Sequence, residues 1–344
     1  MNKISATFFA CMLICRLFTP TVHAQTKQLT IAFYNQENLF DTIDDPLTED
    51  SEFLPGSKAQ WTNERYVTKL NNMSRVIRSL NNNGADIVGL CEVENKKTVD
   101  DLAHYCGAGA KQESYSVVHF DSPDPRGIDV ALMYRKSALT VLYAYPIRFT
   151  LPQADYNRTR DILYVKGELS NKSVVHFFVN HFPSRREGTA ESSYKRQFVA
   201  AELRQRVDSL LKKDKNAQII IMGDFNDEPG DSSMNVVLKA ACTLKDAEKT
   251  SLYNVMCPLK GAGLGSHLYR KEWGMLDQII ISNTLLADKN KMQYVAESAG
   301  IYKEEWMLEQ SEKYKGQPFR TYVGSKYLGG FSDHLPVYIK LTLK

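Results

Sequence analysis

A chain of 344 residues, 43% hydrophobic and 24% charged, has ordinary globular composition and enough length for a sizeable core. Its formal charge is +3, and taking away residues 1–24 removes Lys3 and Arg16 but no acid, leaving 41 basic against 40 acidic residues. A net charge near +1 excludes a broad nucleic-acid-attracting field, so any basic binding surface must be local.

The first 24 residues read as a secretory signal peptide. Lys3 supplies the positive start, an apolar run extends from Ile4 to Val22, and Val22-His23-Ala24 offers a small-residue cleavage site before Gln25. No later stretch is long and apolar enough to span a bilayer, so the mature chain is expected to be exported, periplasmic or extracellular, with no stable membrane anchor. Export permits disulfides. Cys242 and Cys257 are close enough in sequence to bridge, but buried free thiols are an equal alternative.

In chain order, short apolar runs read as strands over Leu29–Tyr34, Asp86–Cys91, Ser114–Phe120, Asp129–Tyr134, Ile162–Glu168, Val174–Asn180, Gln218–Met222, Gln278–Ser282 and Pro336–Leu341. Helical spacing appears over Glu64–Leu80, Thr98–Tyr105, Ser192–Leu211 and Ser233–Ala241. Segments 41–60 and 259–275 read as loops from their proline, glycine and acidic content. Strands and helices interleave without a linker, which predicts one mixed α and β domain over residues 25–344.

The chemistry lies where the apolar strands end. The first strand ends in Asn35, the second in Glu92, and the Val174–Asn180 strand in His181. Gln218–Met222 runs into Gly223-Asp224-Phe225-Asn226, Asp277 opens the next long strand, and Ser332-Asp333-His334 precedes the last. Each has a bland explanation: a turn-forming Asn, a structural histidine, an Asx turn at Asp224, or a strand cap at Ser332. Together they form a reacting set. Asn35, Glu92 and Asp333 offer oxygen ligands for a hard cation, Mg2+ first and Mn2+ or Ca2+ next. Asp224 can take a proton from water, Asn226 can hold that water or a phosphate oxygen, and two histidines can meet developing charge. No nucleophile elbow and no Walker-type loop is present, which favours water attack over a covalent intermediate.

The order of these motifs from residue 29 to 342 resembles the endonuclease/exonuclease/phosphatase superfamily, the group of deoxyribonuclease I, neutral sphingomyelinases and inositol polyphosphate 5-phosphatases. The resemblance implies an α+β sandwich of two mixed β-sheets packed face to face with helices outside. It implies Glu92 as main metal ligand beside Asn35, Asp333 as a second metal-side carboxylate, and Asp224 with Asn226 at the attacking water. It implies His334 as the transition-state imidazole held by Asp277, and His181 as the acid for the leaving oxygen. Asp129 is assigned to orient His181, and Arg160 to contact phosphate.

Substrate choice is less legible. Asp227-Glu228-Pro229 and Gly274-Met275-Leu276-Asp277-Gln278 differ from the 5-phosphatase pattern. Arg185, Arg186 and Lys195-Arg196 follow His181 closely and are candidates for a phosphodiester backbone. Trp61, Trp273 and Trp306 are candidates for membrane contact in a sphingomyelinase-like reading, with packing the default. The expectation is a monomeric phosphodiesterase acting on a phosphodiester substrate, nucleic acid among them, with endonuclease-like activity first.

Overall fold

The computed structural model describes residues 26–82, 84–108, 113–152, 158–288 and 290–344. The expected leader at residues 1–24 lies outside the described residues. Strand β1 (Lys27–Leu39) alternates its burial: Ile31 and Phe33 enter the core between two sheets, while Ala32 and Tyr34 face a helical layer. Helix α1 (Asn63–Ser79) lays Leu70, Met73, Val76 and Ile77 on that outer face, at three-to-four spacing. Its crossover brings β2 (Ile87–Val93) parallel to β1, from Ile31 opposite Ile87 to Asn35 opposite Cys91. Helix α2 (Lys96–Gly107) begins in a capping box between Asn95 and Thr98. Strand β4 (Asp129–Arg135) then adds antiparallel to β2, and β3 (Tyr115–His119) adds antiparallel to β4 at the sheet edge.

The second sheet repeats the plan. Strands β5 (Leu139–Ile147), β6 (Ile162–Leu169) and β7 (Val174–His181) pair antiparallel with one another in turn. Helix α3 (Ser193–Lys213) crosses back so that β8 (Gln218–Asp224) lies parallel to β7. Helix α4 (Leu244–Thr250), strand β9 (Leu252–Asn254) and helix α5 (Cys257–Gly261) lead to a hairpin of β10 (His267–Tyr269) and β11 (Glu272–Gly274). Strand β12 (Asp277–Ser282) joins β8 antiparallel. The chain then returns through β13 (Met292–Tyr294), β14 (Gly300–Ile301), β15 (Tyr322–Val323) and β16 (Lys326–Tyr327) to β17 (Val337–Leu343), which pairs antiparallel with β1.

The result is two mixed sheets with helices outside, as the resemblance implies. One sheet runs β13-β17-β1-β2-β4-β3 with β14 also on β17; the other runs β5-β6-β7-β8-β12-β9. Leu29, Ile31, Phe33, Leu132, Phe177, Ile220, Ile279 and Ile339 fill the space between them. Each sheet has one parallel pair, β1–β2 and β7–β8, and both pairs aim their carboxyl ends at one rim. The antiparallel β12 and β17 enter from that rim, so the residues that open them also lie there. None of the described helices is long and apolar enough to cross a membrane.

Four local expectations change. The helix foreseen over Ser233–Ala241 is a single wide turn, Ser233–Val237, because Lys239 takes a left-handed φ of 59° and ends it. The loop foreseen over 259–275 holds the β10–β11 hairpin, turned by Arg270 and Lys271 at φ 50° and 71°. Edge strand β5 carries Pro146 and several exposed positions, which hides its strand pattern. Cys242 and Cys257 are bridged, with Cα atoms 5.3 Å apart.

Gly223 of β8 lies hard against its β7 partner Asn180. A Cβ there would lie 2.5 Å from the Asn180 carbonyl oxygen, which is backbone and cannot turn aside. Gly223→Ala should therefore lower stability by roughly 1–3 kcal/mol in a denaturant titration. Gly230→Ala, where no atom lies within 4 Å, should change it by less than about 0.5 kcal/mol.

Candidate active site

The rim gathers side chains from both sheets. Asn35 of β1 donates from Nδ2 to Asp224 Oδ2 of β8 at 3.1 Å and to Glu92 Oε1 of β2 at 3.4 Å. His181 Nε2, at the end of β7, lies 3.8 Å from both Glu92 Oε1 and Asp224 Oδ2. His334 Nε2 lies 3.8 Å from Asp224 Oδ2 on the other side. His334 Nδ1 is 2.6 Å from Asp277 Oδ2.

Local backbone irregularities aim these groups. The pairing of β2 shifts register around Glu92, which adopts φ 56°, and that of β1 shifts after Asn35. Such bulges re-aim side chains at the edges of sites. Glu92 Oε2 then accepts from the Asn38 backbone N–H at 3.1 Å, leaving Oε1 toward the centre. Asp224 Oδ1 closes an Asx turn by accepting from Asn226 N–H at 2.9 Å, with Asn226 at φ 50°. Asn226 Nδ2 donates to the Phe182 carbonyl at 3.0 Å. Ser332 Oγ donates to the Asn35 carbonyl at 2.8 Å and accepts from His334 N–H at 3.1 Å, which seats the Ser-Asp-His segment against β1.

The two histidines differ electrically. Burial opposes charge on His334, but Asp277 and Asp224 hold its pKa well above the ordinary value, favouring the imidazolium. Burial pushes His181 well below, and Arg160, Arg126 and His334 add to this, so it stays neutral. Burial raises the Asp224 carboxyl to about 7 against the pull of His334, with Asp277 adding to the rise. Asp224 is thus a protein base tuned toward neutrality.

Several assigned groups stand elsewhere than foreseen. Asp129 is bonded to His119 Nε2 at 2.9 Å and to Ser122 N–H at 2.8 Å, so it orients His119 rather than His181. His181 Nδ1 is buried with no hydrogen-bond partner. Its neutral state also makes it a weaker fit to the leaving-group acid role. Arg185 is spent on structure: it donates to Asp227 Oδ1 at 2.9 Å, to Asp231 Oδ2 at 2.6 Å and to the Asn226 carbonyl. Arg160 donates to Asp124 Oδ2 at 3.0 Å and to the Phe182 carbonyl at 2.6 Å, keeping only a buried, unpartnered Nε. Arg186 is exposed at the wall of a neighbouring cavity. Asn35 presents N–H rather than oxygen to the carboxylates, so it braces them and is not placed as a metal ligand. Trp61 is buried and donates to the Phe40 carbonyl at 3.0 Å, which removes it from membrane contact.

Sequence reasoning missed four contributors. Ser266 Oγ donates to Asp277 Oδ2 at 2.5 Å, and His267 stacks on His334 with ring centroids 4.6 Å apart. Arg320 bridges Glu37 Oε1 at 3.0 Å and Asp333 Oδ2 at 2.7 Å. Lys69, fully buried on α1, donates to Thr321 Oγ1 at 2.7 Å and to the Phe331 carbonyl at 2.5 Å. Burial pulls Lys69 down to about 8 while Glu37 and Asp333 draw it up. A lysine at an apolar position of a helix, its neighbours Leu70 and Met73 facing the core, is the signal that was available.

The donor chemistry fits a hard divalent cation. Glu92, Asp224 and Asp333 supply carboxylate oxygens at one rim, and Asp277 Oδ1 is buried without a partner, so negative charge there is in excess. Cys91 is a poor ligand, since burial holds its thiol well above the ordinary pKa.

Lys69→Met keeps the volume of the side chain but removes the donor to Thr321 Oγ1 and one of two donors to the Phe331 carbonyl, in an acid-rich setting. It should cost about 2–4 kcal/mol of stability. The same titration on Lys97→Met, whose surface pair with Asp101 is 2.6 Å long, should move by less than about 1 kcal/mol.

Comparison with known proteins agrees with this architecture. The chain matches the endonuclease/exonuclease/phosphatase family over residues 30–343. It is similar to an endonuclease/exonuclease/phosphatase family protein from Bacteroides thetaiotaomicron, at 15% identity and a TM-score of 0.57, covering 93% of this chain and 96% of that one. It is also similar to the human Nocturnin catalytic domain with bound sulfate, at 16% identity and a TM-score of 0.55, covering 92% and 95%. D. rerio TDP2 complexed with a single-strand DNA product is similar at 16% identity and a TM-score of 0.54, covering 91% and 98%. At these identities the structures speak for the fold alone. No curated protein matches the sequence. The family match covers nearly all of the described chain and the fold agrees with it: this protein belongs to the endonuclease/exonuclease/phosphatase family.

Proposed function

We propose that this chain hydrolyses phosphodiesters with water, using a bound divalent cation, Mg2+ first, and that its activity is endonuclease-like. The observation that carries this reading is the convergence of Glu92, His181, Asp224 and His334 from both sheets, with Asp277 behind His334. Glu92 and Asp333 would hold the cation, with Asp224 beside them. Bound there, it would supply Lewis-acid stabilisation of phosphoryl oxygen charge.

The remaining chemistry belongs to the chain. Asp224 accepts the proton of the attacking water, and Asn226, fixed by Phe182 and Arg185, keeps that water near it. His334, charged and braced by Asp277, donates to phosphoryl oxygen as negative charge grows. Neutral His181 offers a hydrogen-bonding group on the opposite side of Asp224.

A chelator should abolish hydrolysis of bis(p-nitrophenyl) phosphate and nicking of supercoiled plasmid, and Mg2+ should restore both. His334→Ala should lower kcat by roughly 100- to 10,000-fold, and Glu92→Gln should raise the metal concentration needed for half-maximal rate. Turnover that ignores chelator and both substitutions would remove the reading.

Export is part of the same proposal. The Cys242–Cys257 bridge supports it, because disulfides persist in oxidising compartments. Mass spectrometry of the mature protein should find Gln25 as its first residue; an intact Met1 end on protein recovered from outside the cytoplasm would contradict it.

A further inference from the structure

Beside the catalytic rim lies a cavity of about 610 Å³, lined by Arg126, Arg158, Arg160, Arg186, Tyr194 and Lys195 among others. It adjoins the reacting groups through one carbonyl: Phe182 O accepts from Arg160 Nη2 at 2.6 Å and from Asn226 Nδ2 at 3.0 Å. Lys195 and Glu187 neutralise each other at 2.7 Å. Four arginines then face two lining carboxylates, Asp124 and Glu49. Asp124 serves both Arg160 at 3.0 Å and Arg126 at 3.4 Å. Among the described residues, Arg158 and Arg186 have no carboxylate partner. Arg160 is 5% exposed, and its buried Nε has none either. Positive charge gathered in a concavity, with a desolvated guanidinium N–H left over, is a setting for phosphate.

We propose that this cavity is a second anion subsite, which holds a phosphate of the substrate other than the one being cleaved. This rests on the hydrolytic reading above and narrows it: the substrate carries at least two phosphates. A zwitterionic choline head group brings no second anion and meets four guanidinium groups with its own cation. Binding at this remote phosphate would position the scissile one at Asp224 and Asn226.

Four substrates separate the sources of that second phosphate. They are bis(p-nitrophenyl) phosphate, a dinucleotide with one internal phosphate, the same dinucleotide with an added terminal phosphate, and a trinucleotide with two internal phosphates. At least one two-phosphate substrate should exceed the plain dinucleotide in kcat/KM by about tenfold, the size of one charge-assisted contact. Gain with the terminally phosphorylated dinucleotide alone identifies a monoester phosphate; gain with the trinucleotide alone identifies a backbone diester. Arg158→Gln, an exposed side chain with no carboxylate partner among the described residues, should erase the gain and leave bis(p-nitrophenyl) phosphate turnover unchanged. Equal kcat/KM for one- and two-phosphate substrates, or a gain that survives Arg158→Gln, overturns the subsite. If bis(p-nitrophenyl) phosphate is not hydrolysed, the catalytic reading fails by itself. Fluorescence anisotropy with a labelled, terminally phosphorylated dinucleotide in chelator then still tests the cavity: binding weakened by Arg158→Gln supports it, and equal binding overturns it.

Discussion

The 2.6 Å contact between Asp277 and His334 is the tie on which the rim depends. Asp277 opens β12 of one sheet, and His334 precedes β17 of the other. A charge-assisted bond between them therefore sets both the state of the imidazole and the alignment of two sheets. Around it, Asn35 to Asp224 and Ser332 to Asn35 repeat the pattern with weaker groups. The apolar layer between the sheets brings them together without direction, and these polar contacts at one edge supply the direction.

Crowding acids into such a seam has a large desolvation cost unless countercharge is buried with them. The chain supplies it locally. Arg320 joins Glu37 to Asp333, and Lys69 reaches the same segment through Thr321 and Phe331. Glu37 illustrates the balance: burial lifts its carboxyl to about 7, with Asp333 adding to the rise and Lys69 and Arg320 opposing it. Part of the backbone strain lies in the same place: Glu37, Asn38, Glu92 and Asn226 are four of the eleven non-glycine residues at positive φ among the described residues. That distribution is expected where reacting groups must be aimed rather than merely accommodated.

The strand-end groups were legible as a set, because each alone has a bland explanation but polar groups at the ends of six buried apolar runs share few. Asn35, Glu92, His181, Asp224, Asp277 and His334 all reach one rim on that logic. Roles that depend on partners across space were not legible. Asp129 and His181 are both at strand ends, yet the strand pairing gives Asp129 to His119. Arg185 and Arg186 are adjacent in sequence, but Asp227 and Asp231 engage only the first. His267 was hidden because its hairpin turns on Arg270-Lys271, without the glycine or asparagine that announces such turns. Lys69 was visible as an anomaly in an apolar helix face, but its role required knowing where residues 320–333 would fold.

The pairing of β1 with β17 joins the first described strand to the last across more than three hundred positions. Asp333 and His334 lie just before that final strand. During synthesis, the rim can take its full shape only after residue 334 has been made, long after Asn35 and Glu92. A nascent chain or fragment that stops before Asp333 would possess most of both sheets and still lack Asp333 and His334. The rim thus closes in one step, when the segment bearing Asp333 and His334 is drawn against β1 by the pairing of β17.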